Sequence, residues 1–350
     1  MVPFISQPLN AIASASIEYI VSTIKMSQSL RFLTLDVFTT TPYSGNPLGV
    51  VFLPTNNTIT QSQKQTIARE FNLSETIFIH PTDPATPSVR KIDIFTTDEE
   101  LPFAGHPTIG AVSWFLQHSP EESDRKDVTT LLTKAGPFAI SRVSPSSDGG
   151  VVAAQIAHNV HIHSSRFPLS EMLRLHPSLT PFLSKEKHAS FPVFSIVKGM
   201  SQVLVELPSL EALAATEAPV SGEVIPCKSV SQGGYLDEGW EGAGLIVVYF
   251  YVPGVHDEAT GKKVIRSRML LRNFEDPATG SAASGLSSYL ALTNAGEGKV
   301  EYDIVQGVEM GRRSDISVAV STNSTGGEKK IETVELRGSA VRVMSGELVV

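Results

Sequence analysis

Cysteine occurs once in the 350-residue chain, at Cys227. A single thiol excludes an internal disulfide and fits a reducing compartment. No apolar run approaches the roughly 18 residues that a membrane-crossing helix requires. Nor is there any basic block, and the formal net charge is −8. That balance argues against nucleic acid and against an anionic membrane surface as partners, because both select basic surfaces. It leaves room for a small anionic substrate, since helix N-termini hold an anion within an acidic protein. Signatures of several enzyme classes are also missing. There is no P-loop and no Gly-x-Ser-x-Gly elbow. The run Gly239-Trp-Glu-Gly-Ala-Gly244 precedes a strand-like segment instead of following one, so it is not a dinucleotide loop.

With 41% hydrophobic and 18% charged residues, the chain has the composition of an ordinary soluble globular protein. Its length makes two domains the default, each long enough to bury a core. Residues 1–28 differ in character. They are rich in Ser, Ala and Ile, with Lys25 as their only basic residue. That composition fits neither an Arg-rich transit peptide nor a secretory signal. A flexible extension is expected there and a cytoplasmic setting for the rest, with organellar targeting by the extension left open.

A repeated device organises the remainder. Glu100-Leu-Pro102-Phe-Ala-Gly105-His-Pro-Thr-Ile-Gly110 opens onto the apolar run Ala111 to Leu116. Glu275-Asp-Pro277-Ala-Thr-Gly280-Ser-Ala-Ala-Ser-Gly285 opens onto Leu286 to Leu292. The Pro-to-Gly and Gly-to-Gly spacings are the same in both copies. Each follows a strand-like segment, 91–96 in the first and 268–273 in the second. The offset from Gly105 to Gly280 is 175 residues, half the chain. A repeat at half length predicts two similar halves, each with a strand, an acidic-Pro-Gly turn and a central helix. Small residues in a first helical turn let backbone or ligand come close. The free N–H groups and positive dipole end of such a helix suit a carboxylate.

Strand-like alternation is otherwise dominant. It appears at 31–38, 48–53, 76–80, 151–157, 193–197, 202–206, 244–252 and in four segments after 300. Short helices are predicted at 62–71, 169–183 and 209–216. The expected fold is α+β: two pseudo-symmetric domains, each a mostly antiparallel β-barrel wrapped around a central helix. The turn-rich 144–150 stretch is the expected boundary. It gives an N-terminal domain over 29–143, open to completion by a C-terminal strand at 340–350, and a C-terminal domain over 150–338.

Four residues are candidates for chemistry. Glu75 sits where a helix-to-strand loop enters a sheet, among Ile67, Phe71, Leu73 and Phe78. It reads either as an acid/base with a raised pKa or as a surface glutamate that caps or pairs. His106, at the first helix mouth, is either a proton shuttle or a histidine satisfied by a turn. Asp276, before Pro277, either stabilises the helix dipole or accepts from a substrate amine or hydroxyl. Ser281 is an ordinary first-turn serine or an anion-binding hydroxyl. His158, His161 and His163 include a His-x-His, but no cysteine or carboxylate lies nearby in sequence. Period-two spacing on a strand explains them without an ion, so no metal site is expected.

Taken together, several stretches resemble the PhzF family, the isomerases of phenazine biosynthesis and their relatives. They are Leu35-Asp-Val-Phe-Thr, Gly45-Asn-Pro-Leu48, Ala68-Arg-Glu-Phe-Asn-Leu-Ser-Glu-Thr76, Glu100 to Pro107, Glu275 to Ala282 and Gln306-Gly-Val-Glu-Met-Gly-Arg312. The resemblance implies the diaminopimelate-epimerase fold with the site in a cleft between the domains. It implies Glu75 as the proton-transferring residue, with His106, Asp276 and Ser281 lining the site. Backbone N–H groups near Gly105 and Gly280 are then expected to bind substrate carboxylate, with Asn46 in the substrate-binding set. It further implies a homodimer that needs no metal or organic cofactor. Sibling epimerases use two cysteines, one at each helix mouth, and this chain has neither. One carboxylate acting alone predicts isomerisation on a single face. A racemase, a lyase on the same site and a non-catalytic binding protein are the alternatives. Connectors at 184–190 and 222–242 are wider than in compact relatives, so the family's best-known substrate is not carried over.

Overall fold

The computed structural model describes residues 29–56, 58–143, 150–184, 186–242, 244–294, 296, 298–325 and 328–350. The expected extension, 1–28, and positions 144–149 of the expected boundary lie outside the described residues. The first half contains β1 (Ser29–Val37), β2 (Asn46–Phe52), α1 (Gln61–Phe71), β3 (Thr76–Ile79), β4 (Val89–Phe95), β5 (Glu100–Leu101), α2 (Gly105–Ser113), α3 (Glu122–Asp127), β6 (Thr130–Thr133) and β7 (Gly136–Arg142). The second opens with β8 (Val152–Ile156), β9 (His161–Pro168), α4 (Leu169–Leu175), β10 (Ser190–Val197), β11 (Met200–Glu206), α5 (Leu210–Ala214) and β12 (Ile225–Pro226). It continues through β13 (Leu245–Asp257), β14 (Lys262–Leu271), β15 (Phe274–Asp276), α6 (Gly280–Thr293), β16 (Gly298–Gln306), β17 (Ser314–Thr325), β18 (Glu328–Gly338) and β19 (Ala340–Val349).

The halves repeat at the level of pairing. β2 runs parallel to β3 across the α1 crossover, and β11 runs parallel to β13 across α5. β4 runs parallel to β6 and β14 to β16, with the central helices α2 and α6 in those crossovers. The β-turn registers match as well. Ile94 faces Leu101 and Phe95 faces Glu100, while Met269 faces Asp276 and Leu270 faces Glu275. Each pair is displaced by the same 175 residues as Gly105 and Gly280. Every other pairing among the described strands is antiparallel, so the sheet is mixed but mostly antiparallel.

Two features depart from the expectation. The strands form one network running from β19 through β1, β2, β3, β4, β6, β7 and β8 to β18, then on to β9. It wraps both helices without closing into a barrel among the described residues. Within it, β19 lies antiparallel to β1 along its full length, so the chain's last strand flanks its first described one. The other departure is α3, where a charged connector was expected. Asp124 on that helix accepts from Arg90 Nε at 2.8 Å, and this buried long-range pair pins the segment.

One apolar core surrounds both central helices, with Ile109 and Val112 of α2 and Ala283 and Leu286 of α6 at its centre. Part of the network is also covered on its outer face. Ile67 and Ala68 of α1 pack with Phe78 and Phe95 in the first half, and Met172 and Leu213 pack with Phe250 in the second.

Candidate active site

The two central helices meet at their N-termini. A Cβ on Gly105 would lie 2.8 Å from both Gly280 Cα and Ser281 N, so only glycine fits there. Helix geometry leaves the first N–H groups of each helix without an intrahelical partner. Those of Gly105, His106, Gly280 and Ser281 therefore share one small region with two positive dipole ends.

Acidic groups offset that field. Thr60 and Gln63 cap the start of α1 reciprocally, and Asn72 ends it in the left-handed region, its N–H bonding to Ala68 and Arg69 carbonyls. The chain then turns into β3, and Glu75 stands directly before that strand. Its Oε2 lies 3.5 Å from His106 Nδ1, and its side chain is 17% exposed. Burial raises the Glu75 carboxyl to about 7, against a small downward pull from Ser74. Burial also lowers His106 to about 4, with the Asp276 charge and the Pro47 carbonyl pulling the other way. His106 is therefore neutral near pH 7 while Glu75 is poised between its two forms.

Asp276 ends β15. Its carboxyl is raised to about 6, chiefly by burial and then by the nearby Glu75 charge, while His106 and Thr279 pull it down. Asn46 joins the halves. Its Nδ2 donates to Asp276 Oδ1 at 2.7 Å and to the Ala278 carbonyl at 3.0 Å, and lies 3.4 Å from His106 Nδ1. A flipped amide would set oxygen against those two acceptors, so the orientation is fixed. Asn46 Oδ1 is buried without a partner among the described residues.

Several supporting residues were not singled out from sequence. Gln306 Nε2 donates to the Asp276 carbonyl and to Thr279 Oγ1, at 2.8 and 2.9 Å. Thr279 Oγ1 donates to Asp276 Oδ2 at 2.7 Å. Tyr249 donates to Gln306 Oε1 at 2.9 Å. Arg312 reaches across from the second half, donating to the Gly45 carbonyl and to Asp36 Oδ1, each at 2.8 Å. This clamp fixes the loop before Asn46, where Gly45 has φ +67° and a Cβ would strike the Val37 carbonyl. Gln306 and Arg312 lie in a stretch quoted above for its resemblance, so a signal existed. Tyr249 sits in an apolar strand and had none.

The structure thus brings Glu75, His106, Asp276, Asn46, Gly105, Gly280 and Ser281 into one cluster. A cavity of about 230 Å³ lies elsewhere, lined by Thr260, Lys262, Asp303 and Arg337 and by none of these seven. No helix among the described residues is long and apolar enough to cross a membrane.

The model of phenazine biosynthesis-like proteins, PhzC-PhzF, matches residues 35–346. This chain belongs to that family. It is 31% identical over 317 residues to an uncharacterized isomerase of Pasteurella multocida, covering 90% of this chain and 93% of that protein. It is 30% identical over 321 residues to the trans-2,3-dihydro-3-hydroxyanthranilate isomerase of Pseudomonas aeruginosa, covering 90% and 98%. Among solved structures, a PhzF-family protein of Bacillus anthracis superposes with a TM-score of 0.69 at 20% identity, covering 92% of this chain and all of that one. The first two comparisons place this PhzF-like protein among the isomerases. The third speaks for the fold alone.

Proposed function

We propose that this protein is a cofactor-independent isomerase in which Glu75 moves a proton on a small carboxylate-bearing substrate that is unsaturated or cyclic. The observation that carries this reading is the 3.5 Å approach of Glu75 to a neutral His106 beside two helix N-termini, with the Glu75 carboxyl held near 7. A group poised there both removes and returns a proton at neutral pH. In the first step ionised Glu75 takes a proton from a carbon next to the unsaturation, and the C–H pair moves into the conjugated system. The N–H groups at positions 105, 106, 280 and 281 stabilise the charge that develops towards the substrate carboxylate. In the second step the Glu75 carboxylic acid gives the proton to another carbon on the same face. Atoms and charge balance with no other reactant.

The remaining groups suit substrate binding. Neutral His106 offers an N–H to a substrate oxygen without adding charge. Asp276 and the unpartnered Asn46 Oδ1 suit a substrate amine or hydroxyl. Both His106 and Asp276 are under 9% exposed, so we infer that substrate enters when the two helix ends part. The Pseudomonas relative's name denotes an unsaturated ring acid, which agrees with this substrate class. The wider 222–242 connector is a reason not to assign that compound here. The family resemblance also favours a homodimer, which light scattering of the purified chain checks.

A two-base racemisation is the second reading, favoured by the raised Asp276 carboxyl in the same cluster. Product stereochemistry separates the two. The proposal is tested by incubating wild type and Glu75→Gln with a metabolite extract and comparing them by mass spectrometry and chromatography. A metabolite converted to an isomer of equal mass by wild type alone supports it. Equal conversion by both proteins overturns it.

A further inference from the structure

Away from the central helices, the structure assembles a second group of chemistry-bearing side chains. β9 presents His161 and His163, two residues apart and so on one face of the strand. Their ring centroids are 4.8 Å apart. The 222–242 connector brings Asp237 to them. Asp237 Oδ2 lies 2.7 Å from His161 Nε2 and 4.0 Å from His163 Nδ1. One ligand-type atom from each of the three lies within 4.8 Å of the others. No carboxylate stands beside these histidines in the sequence, but the fold supplies Asp237, 74 residues beyond His163.

We propose that His161, His163 and Asp237 form a site for a divalent transition-metal ion of the zinc type, which clamps the 222–242 connector onto β9. Two imidazoles and one carboxylate match the ligands such ions take, with a fourth position left for water. Hard oxygen-seeking ions such as Mg²⁺ do not favour this set.

Part of the surroundings already suits the role. The Asp237 N–H donates to His163 Nδ1 at 2.9 Å, so that nitrogen carries a lone pair and Nε2 carries the hydrogen. His163 Nε2 in turn points at Ser195 Oγ, 2.8 Å away, and Ser195 meets Ser201 at 2.6 Å. A metal-binding histidine is characteristically held by its other nitrogen in this manner. His163 is buried, which limits ring rotation. The His161 ring stacks on Trp240 at 4.7 Å and 11°. The Asp237 carboxylate is steadied by the Ser164 N–H at 3.2 Å and by its hydroxyl. What lies between His161 and Asp237 is a proton, and a cation competes for the same place.

Binding demands a limited change. Ligand atoms around a tetrahedral zinc stand about 3.3 Å apart, as bond lengths of about 2.0–2.1 Å require. The histidine nitrogens must close by about an ångström or more, and the Asp237 N–H must exchange His163 for water. Asp237 is 27% exposed on its side chain, so water reaches it. β9 pairs only with β10 among the described strands, so the connector covers a sheet edge, and an ion would fasten it there.

The test uses the full chain, freed of metal by a chelator and titrated with Zn²⁺ by calorimetry. One ion per chain is expected. His161→Ala and Asp237→Asn should each weaken binding at least about tenfold, while circular dichroism shows the fold intact. Zn²⁺ should raise the melting temperature of wild type and leave that of the variants unchanged. Should Asp237→Asn fail to fold, the partly exposed His161→Ala carries the comparison. Absence of stoichiometric Zn²⁺ binding, binding retained in full by both variants, or Mg²⁺ binding as tightly as Zn²⁺ would each overturn the assignment.

Discussion

Gly105 and Gly280 meet backbone to backbone: a Cβ on Gly280 would lie 3.2 Å from Gly105 Cα, and one on Gly105 2.8 Å from Gly280 Cα. Two positive helix ends at such a distance repel each other unless negative charge lies between or beside them. Glu75 and Asp276 provide some of it, and a carboxylate substrate would provide more. The proposed chemistry follows from this contact, because it forces the carboxyls, the histidine and the free amides into one place.

Gly105→Ala tests whether the contact is tight. The methyl meets backbone on the facing helix, not the end of a flexible side chain, so it cannot be relieved by a rotamer change. A loss of about 1–3 kcal/mol is expected, as for other overpacked sites. Urea unfolding at pH 7 measures it. An unchanged midpoint would show that the helix ends have slack.

Glu75 sets a pH-dependent cost. Its folded value of about 7 lies above the ordinary 4.5, so between those values the folded protein holds more protons than the unfolded chain. Stability linked to Glu75 is therefore full below about pH 4.5 and falls as pH rises through 7. Asp276, raised from 3.8 to about 6, acts in the same direction over its own window. His106, lowered from 6.5 to about 4, acts oppositely and loses stability as pH falls through that range. At pH 8, Glu75→Gln should be more stable than wild type by up to about 3 kcal/mol, at about 1.4 kcal/mol per pKa unit. At pH 4 the gap should close. Denaturation at both pH values checks the sign.

Arg312 holds the loop that carries Asn46. Asp36 is 6% exposed on its side chain, and burial already pushes its carboxyl up while Tyr43 N–H and Arg312 pull it down. Arg312→Ala leaves that charge without its counter-ion and should cost about 2–3 kcal/mol. Adding Asp36→Asn should recover part of the loss, since the two changes share one interaction. Thermal unfolding of the single and double variants decides it, and strict additivity would contradict the clamp.

The helix mouths were legible because their geometry is local. Pro-to-Gly and Gly-to-Gly spacing define a turn and a first helical turn, and the half-length offset carried over into strand register. From the residues alone Glu75 stayed open between an acid/base and a surface glutamate, since its raised carboxyl comes from burial and its neighbour His106 lies 31 residues away. Asp276 and Asn46 meet across 230 residues, a separation no periodicity encodes. Asp237 was missed for the same reason, because its connector has no pattern of its own. α3 formed where charge predicted a loop, since the buried Arg90–Asp124 pair outweighs its exposed, polar character. The open sheet was missed because alternation reports which face of a strand is buried and not whether the last strand meets the first.

Proton transfer by Glu75 is tested most directly by following exchange of substrate hydrogen with deuterated solvent, once the extract screen has supplied a substrate. Wild type should place deuterium at the receiving carbon to the extent that the Glu75 acid exchanges with solvent before returning its proton, and Glu75→Gln should lose both that incorporation and isomer formation by a factor of at least about 100 while remaining folded. Incorporation by the glutamine variant at the wild-type rate would contradict the account.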